Sequence, residues 1–163
     1  MQKSWFFSFG MAVVGLGALL WVFDGSGGDE SRPPFEQSSF SIINAKGARF
    51  SFEAEVARSK KEQAYGLMFM RSMPDNKGMI FTFSPPGEAI FWMKNTLIPL
   101  DILFVRPDGT IGRIAASAQP QDMTPIRSQQ PISAVIEING GLAKKYGLET
   151  GDKVETPIMQ WAQ

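Results

Sequence analysis

Residues 91–105 read FWMKNTLIPLDILFV, a run of large apolar side chains that nevertheless carries Lys94, Asn95 and Asp101. Removing a charge from water costs several kcal/mol or more unless it is paired and hydrogen-bonded, so a lysine and an aspartate in such a run require partners or a wet cleft. In a regular strand Lys94 shares a face with Trp92 and Thr96, while Asn95 shares the other with Phe91 and Met93. Pro99 cannot donate to a ladder, which places residues 96–99 at an edge or bend where Lys94 and Asp101 can meet across a hairpin. Two readings of the cluster stay open. One is a buried Lys94–Asp101 ion pair, shared with Arg71 or Glu137, that fixes strand register. The other is the polar floor of a pocket walled by Phe91 and Trp92, with Lys94 and Asn95 on an anionic or hydroxylated ligand.

Outward from this stretch the chain reads as a meander of residues 78–83, 89–95, 98–106 and 110–116. Turn chemistry marks two of its joints, Pro85-Pro86-Gly87 and Pro107-Asp108-Gly109. Upstream, residues 38–44 and 49–57 alternate as half-buried strands, with Phe50, Phe52 and Ala54 on one parity and Ala45-Lys46-Gly47 as a short connection. At Ser59-Lys60-Lys61-Glu62 the pattern changes to a capping box, which opens a short helix over residues 60–66. Downstream, Pro, Gln and Ser dominate residues 118–131, an irregular surface excursion. A strand over 134–138, a helix over 142–146 capped by Gly147 and a last strand over 153–159 complete the chain. The expected fold is mainly β, an antiparallel sandwich or distorted barrel with one or two short helices.

The 163 residues allow one domain with a real core, and Lys+Arg 16 against Asp+Glu 16 gives no bulk attraction to nucleic acid. There is no cysteine and no histidine, which removes disulfides, thiolate catalysis and Ser-His-Asp or Cys-His machinery. Residues 5–23, WFFSFGMAVVGLGALLWVF, carry no charge and only one hydroxyl, Ser8, over a length close to the roughly 30 Å hydrocarbon core. Lys3 before the run and Asp24, Asp29 and Glu30 after it place residues 1–4 in the cytoplasm and the rest outside. The run reads as a transmembrane anchor, or a signal segment if cleaved, at a bacterial inner membrane. Residues 24–37 read as a flexible tether and 38–163 as a periplasmic or extracytoplasmic domain.

Several of these segments resemble the ordered motifs of an uncharacterised bacterial and archaeal family, domain of unknown function 192. They are EQAYGLMFMR at 62–71, GMIF at 78–81, the 91–105 core with its WMKNT-x-x-PLD pattern, EINGG at 137–141 and GLETGDKV at 147–154. The resemblance implies a small, mainly β, jelly-roll-like domain, often behind a signal or anchor, and brings no established activity. EINGG departs from the family's more usual LEL-x-AG.

Other constellations are weaker. Glu137 and Asp101 form a carboxylate pair of the kind glycoside hydrolysis uses without histidine or cysteine, although a strand-end glutamate is more often a turn or cap residue. Met68, Met70 and Met73 form an M-x-M-x-x-M array, with Met79 and Met93 nearby, that suits Cu(I) but equally fills an irregular core. Asp75-Asn76-Lys77-Gly78 resembles the start of a calcium loop without the later ligands and reads as a turn. The leading expectation is a membrane-anchored, non-catalytic binding module for a saccharide-like or anionic envelope ligand. The alternatives are a carboxylate-dependent glycoside hydrolase and a Met-rich Cu(I) protein. No cofactor and no nucleic-acid partner are expected.

Overall fold

The computed structural model describes residues 31–162. The apolar run 5–23 and the start of the tether lie outside those residues. Among the described residues no helix is long and apolar enough to cross a membrane.

Strands β1 (Glu36–Ile43) and β2 (Arg49–Ala57) form the expected hairpin. The Asn44 side-chain carbonyl accepts from Lys46 N–H at 3.1 Å and Ala48 N–H at 3.0 Å, and Gly47 takes a positive φ of 78°. Helix α1 (Lys60–Tyr65) starts at the capping box: Ser59 Oγ accepts from Glu62 N–H at 3.2 Å and Glu62 Oε2 accepts from Ser59 N–H at 2.7 Å. This helix changes the topology. It carries the chain back so that β3 (Lys77–Gly87) runs parallel to β2, a pairing that only a crossover connection permits.

The remaining elements are β4 (Ile90–Phe91), β5 (Leu100–Val105), β6 (Ile111–Ala118), β7 (Ile126–Arg127), β8 (Ile132–Asn139), α2 (Leu142–Tyr146) and β9 (Lys153–Glu155). The main sheet is seven-stranded in the order β6-β5-β8-β3-β2-β1-β9, and β4 pairs with β7 separately. It curls until its edges meet at one end. Thr110 bridges Lys153, Val154 N–H donates to the Gly109 carbonyl at 2.8 Å, and Ile111 N–H donates to that of Asp152 at 2.8 Å. Of the two expected closures the sheet follows the barrel, as a curled half-barrel. One apolar cluster joins residues from both edges and the centre, among them Ile111, Ile136 and Val154, and so fills the concave face under α2. A second cluster, with Met79, Phe81, Ile102, Phe104 and Val135, lies on the convex face and is covered by Leu67, Met73, Ala89, Met93 and Ile98 from irregular segments.

Five expectations give way. The meander fails because β3 pairs with β2 and β8 rather than with its successor. Pro85 and Pro86 are not a joint but part of β3, where the pairing with β8 shifts register between Thr82 and Gly87, the kind of irregularity that tolerates residues without an N–H. The strand expected over 89–95 stops at Phe91, and residues 93–96 form a turn in which Thr96 N–H donates to the Met93 carbonyl at 3.1 Å and Asn95 is left-handed (φ 54°). The last strand ends at Glu155 rather than at residue 159. The ordered domain also starts before Ser38: Phe35 is buried, and Arg32 ion-pairs with Glu55 and lies 4.7 Å from the Phe35 ring centroid.

Asp101 does not pair with Lys94. It is fully buried on β5, on the same parity as Leu103 and Val105 of the concave cluster. Its Oδ1 accepts from Ser117 N–H and its Oδ2 from Ala143 N–H, each at 2.7 Å. Gly141 at the start of α2 has no side chain with which to cap the helix, so a carboxylate from β5 satisfies an open N–H there. Asp152 works in the same way, accepting from Ala45 N–H at 2.9 Å and Glu149 N–H at 2.7 Å.

Asp101→Ala leaves two amide donors without a partner, and urea unfolding should show a loss on the order of 3 kcal/mol. Lys94→Met, at an exposed position, should change stability by less than about 0.5 kcal/mol. The opposite ranking would restore the Lys94–Asp101 pair.

Candidate functional site

Strand β8 pairs with β3 on one side and β5 on the other and is buried from Ile132 to Ile138. Its alternation sends Ile136 and Ile138 to the concave face and Val135 and Glu137 to the convex one. Glu137 stands opposite Met79 of β3 and Ile102 of β5, both in the convex cluster. A carboxyl group is thereby set in the middle of an apolar face. Gly78 makes the close pairing with β3 achievable, since a Cβ there would lie 2.6 Å from the Glu137 carbonyl oxygen.

Above Glu137 is a cavity of about 290 Å³. Gln63, Tyr65 and Met68 bound it from α1 and the following loop, Phe81 and Phe83 from β3, Phe91 from β4, and Trp92, Lys94 and Thr96 from the irregular segment after it. The aromatic wall is rigidly packed. The Phe91 ring meets Phe81 edge-on at 5.0 Å and also contacts Phe83 at 6.5 Å and Phe104 at 6.1 Å. Gln63 Nε2 donates to the Thr82 carbonyl at 2.8 Å and fixes α1 against β3. Trp92 is 52% exposed at the mouth, while Lys94 is also exposed and forms no ion pair among the described residues.

Burial raises the Glu137 pKa from 4.5 to about 8, with neither a cation nor a hydrogen-bond donor to hold it down. At neutral pH the group is therefore a carboxylic acid, able to donate one hydrogen bond and accept others. That is unusual chemistry for the floor of an aromatic cavity, and perturbed carboxyls in clefts are characteristic of binding and catalytic sites.

The structure brings together Trp92, Lys94 and Glu137 of the residues expected at the site. It separates the others. Asp101 stands opposite Ile138 rather than Glu137, so the two carboxyls lie on opposite faces of the sheet and form no hydrolytic pair. Asn95 supports the wall without lining the cavity: its carbonyl accepts from Phe69 N–H at 2.9 Å and its Nδ2 donates to Met68 Sδ at 3.8 Å. Arg71 is exposed and does not line the cavity above Glu137. The thioethers also diverge. Met68 borders the Glu137 cavity, while Met70 and Met73 line a separate cleft with Arg32 and Pro74. Among the described residues no group of three or more Asp or Glu side chains is arranged to hold a metal ion. Asp75 accepts from Lys145 at 3.0 Å and Asn139 at 3.1 Å, as part of a turn. Sequence reasoning missed Gln63, Tyr65, Phe81 and Phe83, although the first two lie inside the EQAYGLMFMR motif and Phe81 ends GMIF.

A family model for domain of unknown function 192, described as "Uncharacterized ACR", matches residues 41–156, and the chain belongs to that family. Among the solved structures similar to this chain are two of known source. One, from Sinorhizobium meliloti 1021 and described as a "putative transcription regulator", is 34% identical with a TM-score of 0.76, over 78% of this chain and 98% of that one. The other, a protein of unknown function from Novosphingobium aromaticivorans DSM 12444, is 50% identical with a TM-score of 0.70, over 72% of this chain and 83% of that one. No curated protein matches.

The raised Glu137 pKa has a signed consequence for stability. Between about pH 4.5 and pH 8 the folded chain keeps a proton that the unfolded chain has released, so stability should fall as pH rises, by at most about 1.4 kcal/mol per unit. Exposed carboxylates such as Glu36, Glu62, Asp75 and Asp108, lowered by the hydrogen bonds they accept, act the other way and only on the acid side. Urea unfolding of Glu137→Gln should lack the decline between about pH 5 and pH 8 that the parent shows. A parent profile that is flat over that range would place a cation or water-rich surroundings at the carboxyl.

Proposed function

We propose that the chain is a non-catalytic binding module whose cavity takes a saccharide-like ligand, held at a bacterial inner membrane by residues 5–23 with the β domain on the outer side. The observation that carries this reading is a buried carboxyl, Glu137, with no ion-pair partner at the floor of an aromatic-walled cavity, where burial raises its pKa. A sugar ring presents apolar C–H faces and a rim of hydroxyls. The faces fit against Phe91 and Trp92, and a carboxylic acid exchanges hydrogen bonds with hydroxyls without an ion having to be desolvated. Lys94 at the mouth suits an anionic substituent on the same ligand.

Other readings have less support. Hydrolysis by Glu137 and Asp101 requires two carboxyls flanking one bond, and these face opposite sides of the sheet. A Cu(I) site at Met68, Met70 and Met73 requires sulfurs that converge, and these border different clefts. The description of the Sinorhizobium relative raises a regulatory role, but the balance of 16 basic and 16 acidic residues offers no attraction to a phosphate backbone.

Calorimetric titration with soluble peptidoglycan fragments and envelope oligosaccharides tests the reading. Saturable binding is expected, weakened about tenfold or more by Trp92→Ala and by Glu137→Gln, with the ligand recovered intact afterwards. If no fragment binds saturably, or if both variants bind like the parent, the cavity is not a saccharide site.

A further inference from the structure

Five large apolar side chains stand in solvent among the described residues: Phe69, Ile90, Trp92, Leu97 and Met123, at 39% to 55% exposure. All five lie on three segments of the layer that covers the convex face. Hydrogen bonds tie those segments together: Phe69 N–H donates to the Asn95 carbonyl at 2.9 Å, Met93 N–H to that of Asp122 at 2.9 Å, and Gln121 N–H to that of Thr96 at 3.1 Å. Ile90 and Trp92 are at the cavity itself, and Phe69 packs edge-on against the wall residue Tyr65 at 6.1 Å. Exposed apolar side chains gathered on one hydrogen-bonded layer beside a cavity mark a surface that something covers.

The chain indicates what that is. Phe35, at the start of the domain, is buried in the convex-face cluster, and Arg32 Nη2 lies 3.9 Å from Met70 Sδ, two residues along from the wall residue Met68. The polypeptide thus joins the domain on the same layer as the exposed group. From Phe23, the end of the uncharged run, to Phe35 a fully extended chain spans at most about 40 Å. An anchor in the bilayer would keep this layer within reach of the headgroups.

We propose that the layer around the cavity mouth docks on the lipid bilayer, with Phe69, Ile90, Trp92, Leu97 and Met123 entering the boundary between headgroups and acyl chains. Tryptophan is favoured at that depth, and Lys94 meets an anionic headgroup. Glu88 and Asp122 on the same layer offset Lys94 and Arg127, so apolar insertion carries more of the binding than charge does. The proposal rests on the reading above for the anchor at residues 5–23 and for what the cavity holds. The saccharide-like group then enters from the membrane side, as the headgroup of a lipid.

Vesicle co-sedimentation of residues 31–163 tests the docking. The Sinorhizobium chain, matched over 98% of its length, is almost wholly this domain, so the fold forms without the N-terminal run. Binding is expected to phosphatidylcholine vesicles and, a few-fold more strongly, to vesicles that also contain phosphatidylglycerol. The double variant Ile90→Ser/Trp92→Ser, altered only at exposed positions, should bind about tenfold or more weakly while unfolding in urea like the parent. No sedimentation with either vesicle, or equal binding by the double variant, overturns the proposal. Vesicle binding without any saccharide binding would remove the cavity reading and leave the docking surface in place.

Discussion

Strand β8 is the constraint on which the rest of the molecule depends. It is paired on both edges and covered on both faces, so each of its side chains must enter one apolar cluster or the other. A two-residue period offers no third position for a carboxyl such as Glu137. The irregular segments over the convex face answer that requirement incompletely, and the gap they leave above Glu137 is the cavity. The same face therefore carries both the second core and the candidate site.

The two acids within this frame meet opposite fates. Asp101 is fully buried, and each of its carboxyl oxygens accepts a backbone N–H at 2.7 Å, so the group is hydrogen-bonded without any cation. Glu137 has no such donors, and burial raises its pKa to about 8. Difference in donor supply, not in depth, separates a structural carboxylate from a candidate ligand group. Asp152 belongs with Asp101, since it joins the 44–47 turn to the 149–152 turn through backbone donors.

Regular elements were legible in the sequence wherever local chemistry decided them. The alternation of Phe50, Phe52 and Ala54, the Ser59–Glu62 capping box, the Asp108-Gly109 turn and Gly147 after α2 each rest on a few neighbouring residues, and each is present in the structure. Strand order was not legible. Whether β3 turns back beside β2 in parallel depends on how α1 packs, a matter of contacts distant in sequence. The site was half legible for the same reason. Lys94 and Trp92 stood out as polar and aromatic side chains in one run, but the face to which Asp101 or Glu137 points follows from the register of β5 against β8, which no local motif encodes. The left-handed Asn95 also broke a strand pattern that the flanking apolar residues had implied.

The energy of Glu137 bears on why the position matters. Keeping the proton at pH 7 on a group that would ionise near 4.5 costs about 3 kcal/mol, a large share of the 5–15 kcal/mol by which domains of this size are stable. A glutamine would fit the same space without that cost, and an aliphatic side chain would extend the cluster formed by Met79, Ile102 and Val135. Structural need therefore does not account for an acid here, whereas Asp101 is fully accounted for by its donors. What distinguishes a neutral carboxyl from an amide is a strong O–H donor, which has value when an acceptor enters the cavity. On that ground the binding reading begins at Glu137, with the aromatic wall and Lys94 arranged around it.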